Sequence, residues 1–542
     1  MSQSRAVTQR GGNAPIKVSF FGTHPKQYNG YSKVVYELCK YMELGRLLDD
    51  LDPGRPGIKD VRMHVFGFQN FYGNNEEHRP DFPQSVPVYD AWAEEVPKAQ
   101  GFGVTKVKDY IKLTNPDLVV VYNDPVVITQ IVTQLLEVPD RRFKIALYLD
   151  QVYPFQKKSF IDFFNAHVDA AILFTEYWHQ VILRENLKVP TYVMQHGFDP
   201  TANYRVPKRL ARSYFNLNPD DFIVMNLNRN QPRKRWDTCM QAFAEVVSRA
   251  RGSNVKLLIA TSTKGGWDLI EIYERELRKR GVALAEGMRH LVLLQDLPQQ
   301  MSDTDTNILY NVADVGINTC DGEGFGLCNF EQAALGIPQV VSKVGGFLDF
   351  FDDTCAKLIE PALTYYVDSS RDHVGGEAAF CKSSDFADAV LQYYMDPDLR
   401  RRHGQEARRR ILARYAWLPI CQTFADICLR VVSNATTDEK DTTKDTTKDT
   451  TKDTTKDTTT LSKDTAPLAT NNLVPPLPSA QSAQTQQRVD IKQDSMDDVD
   501  DVDDSTLQSI ASKLQKLHVN TKHFNRSSKF SRASRKFKWN RP

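Results

Sequence analysis

The chain has 542 residues, 41% of them hydrophobic and 25% charged, with a formal net charge of +1. That length accommodates two domains and a tail, and the near-neutral balance excludes a global pull toward nucleic acid or membrane. Eight cysteines with no Cys-x-x-Cys pair, a polar start without an apolar signal core, and no run of 18 apolar residues point to reduced thiols and a cytoplasmic setting, with peripheral membrane contact left open.

Residues 1–15 are polar and read as disordered. Residues 16–22 form the first strand, and the loop from Thr23 to Gly30 leads into a helix. Val34, Val35, Leu38, Cys39 and Met42 give that helix an apolar face, and Gly45 is its expected end. Strand, glycine loop and helix make a Rossmann-like opening. Gly30 is either a plain turn glycine or a position facing a ligand. Residues 63–68 and 117–122 read as strands, the second continuously apolar as in a sheet covered on both faces. Residues 70–105 read as a loop-rich insertion. A helix over 126–136 and a strand over 143–149 follow. Asp150 sits at the carboxyl end of that strand, the edge where open α/β sheets bind ligands; alternatively it caps a helix near Phe155. A strand over 170–174, a helix from Tyr177 and a strand over 191–195 lead to His196-Gly-Phe-Asp199.

A second alternating series begins at Asp221. The strand over 222–227 ends in Asn228-Arg229-Asn-Gln-Pro-Arg233-Lys234-Arg235-Trp236, before a helix over 237–247. Four cations at a strand's carboxyl end suit an anion, although a basic cluster alone is commonly a solvated face. Arg233 and Arg235 read as solvated. Strands over 255–260, 291–294 and 315–318 continue the series. Asp303-Thr-Asp305 has a metal-type spacing, but it begins a helix and reads as an N-cap. After the polar loop from Thr319 to Glu323 come Gly324-Phe325-Gly326-Leu327, a helix stopped by Gly336 and Pro338, a strand over 339–342 and a Gly345-Gly346 turn. Glu323 and Glu331 bracket the helix start. The helix N-terminus suits a phosphate, and the two glycines let backbone approach a ligand closely. One Glu could hold sugar hydroxyls and the other a ribose. A strand, loop and helix with two Glu occurs in many α/β proteins, and the third glycine of a dinucleotide fingerprint is absent. Helices over 385–395, 397–413 and 418–432 close the series, and 367–379 is a polar insertion without a clear role.

Glu323-Gly-Phe-Gly-Leu327, the seven residues between Glu323 and Glu331, Ala334-Leu-Gly-Ile-Pro338 and Val344-Gly-Gly346 together resemble the retaining glycosyltransferases of family 4, over roughly residues 16–432. The resemblance implies an α/β GT-B fold, with two Rossmann-like lobes facing a cleft. The acceptor-side lobe would span 16–200 and the nucleotide-sugar lobe 201–416. A closing helix over 417–433 would cross back onto the first lobe. Asp150 and Glu323 would be the catalytic pair, with Glu323 on the sugar hydroxyls and Glu331 on the ribose. Arg229, Lys234 and the N–H groups near Gly324, Phe325, Gly326 and Leu327 would hold the diphosphate. Gly30 would face the donor, the base would lie near Gln295, and His196 would have a structural role near the hinge. The implied reaction moves a hexose from a nucleotide-sugar such as UDP- or GDP-hexose to a hydroxyl of a sugar, glycan, lipid or protein acceptor, with retention, no metal and no cofactor. The rival readings are a nucleotide-sugar epimerase or phosphorylase on the same fold, and a non-enzymatic GT-B scaffold with a basic interaction tail.

The composition collapses near residue 434. Asp-Thr-Thr-Lys occurs four times from Asp441, and so few apolar residues cannot offset ordering entropy, so 434–542 is expected to be disordered. Leu507, Ile510, Leu514 and Leu517 suggest one short amphipathic helix. Residues 522–542 carry eight Lys and Arg, no acid, and interleaved aromatics, a pattern for contact with an anionic membrane or nucleic acid.

Overall fold

The computed structural model describes residues 14–51, 57–71, 73, 78–95, 101–294, 301–368 and 374–433. Residues 1–13, Gln295, the whole tail from 434 with its amphipathic stretch, and the basic end 522–542 lie outside the described residues.

In the N-terminal lobe, β1 (Ile16–Thr23) pairs in parallel with β2 (Val61–Phe68) on one side and β4 (Leu118–Asn123) on the other. β3 (Val88–Asp90) adds to β2, and β5 (Lys144–Leu149), β6 (Ala170–Leu173) and β7 (Thr191–Val193) continue beyond β4. The result is a seven-stranded parallel sheet in the order β3-β2-β1-β4-β5-β6-β7. All six residues of β4 are buried, as its continuous apolar run requires of a strand with helices on both faces. Successive strands are added in one sense from β1 to β3 and in the opposite sense from β4 to β7, and this switch between β1 and β4 opens a crevice beyond their carboxyl ends.

The C-terminal lobe repeats the plan. β8 (Phe222–Asn226), β9 (Val255–Ile259), β10 (Leu291–Leu293), β11 (Val315–Asn318), β12 (Gln339–Ser342) and β13 (Ala356–Ile359) form a parallel sheet in the order β10-β9-β8-β11-β12-β13. Its switch point lies between β8 and β11. Trp236, Met240 and Phe243 on the helix Trp236–Arg249 join Val224, Leu257 and Val315 in the core beneath it. Each such side chain contributes about 1.5–3 kcal/mol on full burial.

The closing helix Trp417–Ser433 returns to the N-terminal lobe and packs on the helix Gly30–Leu51. Trp417 Nε1 donates to Glu37 Oε2 at 2.6 Å, and the Phe424 ring lies 6.1 Å from that of Phe20. The crossing is fixed at Tyr415, whose carbonyl accepts from Phe198 N–H at 2.7 Å. Gly197 is a necessity there, because a Cβ would sit 2.5 Å from the Trp417 indole. Among the described residues, no helix is long and apolar enough to cross a membrane.

Several expectations need correction. Gly45 does not end its helix, which runs on to Leu51. Its missing side chain admits Ile58 and Leu418, so it serves helix packing rather than termination. The stretch 70–105 contains β3 and a short helix, Ala91–Glu94, capped by Asp90. The insertion at 367–379 belongs to an antiparallel hairpin of β14 (Pro361–Val367) and β15 (Gly376–Cys381), with 369–373 outside the described residues. Val367 and Ala378 pack on Val152 and Tyr153 of the other lobe.

Candidate active site

The loops at the two switch points face each other and line one cavity of about 550 Å³. Gly30 follows β1, Asp150 follows β5, Arg229 and Lys234 follow β8, and Glu323 follows β11. These residues, with Phe325, Gly326, Leu327 and Glu331, line the cavity together. Gly324 does not. Its carbonyl accepts from Trp178 Nε1 at 2.7 Å, and its bare Cα lies against Asp150 Oδ1, leaving no space for a Cβ. Gly324 therefore joins the lobes by close contact rather than offering a surface to a ligand.

Glu323 is buried and held within its own lobe. Lys234 Nζ pairs with Oε2, Asn318 Nδ2 lies 3.5 Å from the same oxygen, and Arg233 lies 3.5 Å from Oε1. Burial alone would raise its pKa, but the charges of Lys234 and Arg233 outweigh it and hold the carboxyl at about 2. Lys234 reaches this position because Pro232–Lys234 forms a single tight turn and Arg235 adopts a left-handed conformation (φ +47) before the next helix. The expected solvated roles of Arg233 and Arg235 are not what the structure shows. Arg233 donates to the Gly322 carbonyl at 2.7 Å and faces the cavity. Arg235 pairs with Asp237 at 2.8 Å and lies over the Phe380 ring. Arg229 is the exposed cation of the loop.

The helix Leu327–Ala334 opens at Gly326, whose φ of +91 favours glycine, and no side chain caps its first turn. Its N-terminus meets the cavity beside Lys234, so backbone N–H groups and an ammonium converge on one place. Gly30 faces it from the other lobe; a Cβ there would lie 3.2 Å from Leu327 Cδ1.

Asp150 accepts a hydrogen bond from the Tyr31 hydroxyl. Burial pushes its carboxyl up to about 6, and the charges of Glu323 and Asp124 act in the same direction; the Tyr31 bond and Arg233 oppose them. Asp150 is no helix cap: the nearby helix spans Lys158–His167 and begins after Lys157. His196 is buried neutral, its pKa lowered to about 3, with Nδ1 2.9 Å from the Tyr148 hydroxyl and its ring 4.6 Å from Phe325.

Glu331 already has partners. Lys33 Nζ from the other lobe lies 2.6 Å from Oε1, and the Tyr310 hydroxyl donates to Oε2 at 2.9 Å. Asp303 is not an N-cap. Ser302, in extended conformation, places its Oγ to accept from Asp305 N–H at 3.0 Å, which frees Asp303 for Arg79 at 2.8 and 3.2 Å. Sequence reading thus missed Tyr31, Lys33, Arg79, Arg233 and Asp303. The signal for Tyr31 and Lys33 was their place directly after Gly30 at a helix start facing the sheet edge. Arg79 carries none, since its partner lies 224 positions away.

The chain is similar to known proteins over part of its length. Residues 175–424 match the family described as Family 4 Glycosyltransferase in conflict systems. D-inositol 3-phosphate glycosyltransferase 2 of Catenulispora acidiphila is 29% identical over 140 residues, 26% of this chain and 31% of that protein. The D-inositol 3-phosphate glycosyltransferase of Saccharomonospora viridis is 26% identical over 217 residues, 40% of this chain and 44% of that protein. The chain thus spans less than half the length of these curated relatives in its matches. Among solved structures, sucrose-phosphate synthase from Thermosynechococcus elongatus superimposes with a TM-score of 0.57 at 16% identity, over 77% of this chain and 100% of that one. HepE from Anabaena, solved in complex with UDP and glucose, gives 0.54 at 15% identity, over 77% and 100%. At such identities the likeness is one of fold.

Proposed function

We propose that the chain is a family 4 glycosyltransferase, on the match of residues 175–424 and the shared fold, and that it moves a hexose from a nucleotide-sugar to a hydroxyl acceptor with retention of configuration. The observation that carries this reading is the convergence of Lys234, Glu323 and the open N-terminus of the helix Leu327–Ala334 on the cavity that Asp150 enters from the other lobe. In the transfer, the bond from the sugar C1 to the diphosphate breaks and its electron pair leaves with the phosphate. Negative charge grows on the leaving group while positive charge grows on the ring. Lys234 and the helix N–H groups meet the first as preorganised donors, with the exposed Arg229 beside them. The Asp150 carboxylate faces the second. Glu323, held ionised, accepts sugar hydroxyls and fixes the ring. The acceptor oxygen bonds C1 on the face the diphosphate leaves, so the departing phosphate oxygen is the near base for its proton.

The complexes of HepE with UDP and glucose and the name of the inositol-phosphate relatives support UDP-glucose and a polyol phosphate as first trial substrates. The test is a screen of UDP-, GDP- and ADP-hexoses by thermal shift and by release of nucleoside diphosphate. A donor at 100 times its Kd stabilises by about 2.7 kcal/mol. Absence of both stabilisation and release across the panel would sink the glycosyltransferase reading in favour of the scaffold. Conversion of a donor to its epimer without an acceptor would favour the epimerase.

A further inference from the structure

Glu331 presents a conflict. It is the residue expected to accept a ribose diol, yet Lys33 Nζ lies 2.6 Å from one of its oxygens and the Tyr310 hydroxyl 2.9 Å from the other. The side chains of Lys33 and Glu331 are only 10% and 7% exposed. Lys33 stands in the first turn of the helix Gly30–Leu51, and Glu331 in the helix Leu327–Ala334 of the other lobe. An ammonium from one lobe therefore occupies the ribose seat of the other.

A second pair, Arg79 with Asp303, crosses the same cavity, and the two pairs differ in freedom. Arg79 places Nε and Nη2 on Asp303 and Nη1 on the Pro25 carbonyl and Ser32 Oγ, so its planar fork is committed on every side. Lys33 adds to Glu331 one longer contact, to Asn203 Oδ1 at 3.3 Å. Its ammonium rides on a flexible four-carbon stem. Burial disfavours its protonated form, but the surrounding charges of Glu331, Glu37 and Asp303 outweigh that and keep it protonated. A buried ammonium leaves such a position only for another anion. The anion a nucleotide-sugar brings is its diphosphate, and the groups set to receive it line the cavity that Lys33 also lines. Gly30, the first residue of the Lys33 helix, abuts Leu327, the first residue of the motif helix.

We propose that Lys33 is a donor-binding residue that changes partner, holding Glu331 while the ribose seat is empty and moving to the donor diphosphate when a ribose diol takes Glu331. This rests on the donor reading above. No covalent bond changes: the ammonium protons exchange a carboxylate for phosphate oxygens, and Glu331 accepts two ribose hydroxyls in their place. The exchange makes the two halves of the donor depend on each other. A nucleoside alone must displace Lys33 without giving it a new partner, whereas a nucleoside diphosphate supplies one. Selectivity for the diphosphate is then set in part by the lobe opposite the diphosphate seat.

The test is calorimetric titration of the full chain, as wild type, Lys33→Gln and Glu331→Gln, with UDP and uridine, GDP and guanosine, and ADP and adenosine. The readout is the ratio of nucleoside Kd to nucleoside diphosphate Kd. In Lys33→Gln this ratio should fall at least tenfold, with the diphosphate bound more weakly and the nucleoside as tightly or more tightly. An unchanged ratio, or equal weakening of both ligands, overturns the proposal and leaves Lys33 a structural ion pair. Should Lys33→Gln fail to fold, Glu331→Gln decides. It frees the ammonium from its resident partner, so the ratio should rise above wild type, and a ratio that does not rise overturns the proposal. A wild type that binds none of the three nucleoside diphosphates overturns the donor reading itself, and this inference with it.

Discussion

The two walls of the cleft are held in different ways. On the C-terminal wall, Glu323, Lys234, Arg233 and Asn318 satisfy one another within a single lobe. On the N-terminal wall, Lys33 and Arg79 find their carboxylates only in the opposite lobe. The first wall is preorganised by the fold of its own sheet, while the cations Lys33 and Arg79 of the second pair with carboxylates across the cleft. Electrostatic stabilisation of a leaving group requires donors that need not move during reaction, which suits the first wall. Groups that must admit and release substrate suit the second.

The most damaging way to break this contrast is Glu323→Gln. It leaves the buried Lys234 without its carboxylate, so stability should fall by about 3–5 kcal/mol and turnover by on the order of 10²-fold or more. Melting temperature and kcat measure the two. The same residue has a pH signature. Its folded carboxyl is depressed from an ordinary 4.5 to about 2, so the pair's contribution is complete above about pH 4.5 and is lost as pH falls toward 2. The Gln variant should lack that acid-linked loss; equal acid sensitivity of variant and wild type would show that the wall is not built around Glu323.

Lys234→Ala should have the next largest effect. Loss of a charged hydrogen bond to the leaving group is worth about 1.5–3 kcal/mol, or roughly tenfold to 150-fold in turnover at saturating donor. A variant with wild-type turnover would remove Lys234 from the diphosphate site.

Tyr31→Phe sharpens the comparison from the other wall. The variant keeps the ring that lies 5.1 Å from Tyr122 and loses only the hydroxyl donated to Asp150. That bond favours the ionised carboxylate, so its loss should raise the Asp150 pKa above about 6. If the carboxylate is the working form, the acid limb of kcat/KM moves to higher pH by about half to one unit, with little change at pH 8. An unmoved limb would separate Tyr31 from the chemistry.

The smallest expected effect is that of a chelator. If Arg229, Lys234 and the helix N-terminus together neutralise the leaving group, EDTA should change turnover less than about twofold. Complete loss, restored by Mg²⁺ or Mn²⁺, would show that the cation wall is insufficient.

The same contrast explains what was legible in the sequence. Glu323 and Lys234 lie directly after strands of one sheet, in short loops of strong local character, so chain order alone placed them at a common edge. Continuous apolar runs such as β4 made both sheets readable. Pairing across the cleft left no local trace. Arg79 meets Asp303 from 224 positions away, and nothing about Asp303-Thr-Asp305 distinguishes an interlobe partner from a cap. Arg233 and Arg235 misled for a related reason: a run of cations looks solvated until the turn Pro232–Lys234 brings Arg233 beside the buried Glu323 and Arg235 onto Asp237. At Gly45 a local rule gave way to helix packing against Ile58 and Leu418.

The return of the helix Trp417–Ser433 to the N-terminal lobe has a consequence for biosynthesis. The hydrogen bond from Trp417 to Glu37 joins residues 380 positions apart. At roughly 5–20 residues per second, the ribosome needs about 20–75 s to make the intervening chain. Throughout that time Leu38, Cys39 and Phe20, buried in the finished protein, await the cover that Cys421 and Phe424 will bring. The first lobe to leave the ribosome is therefore the last to be completed, and a nascent chain stalled before Trp417 displays an apolar surface for chaperones or for aggregation.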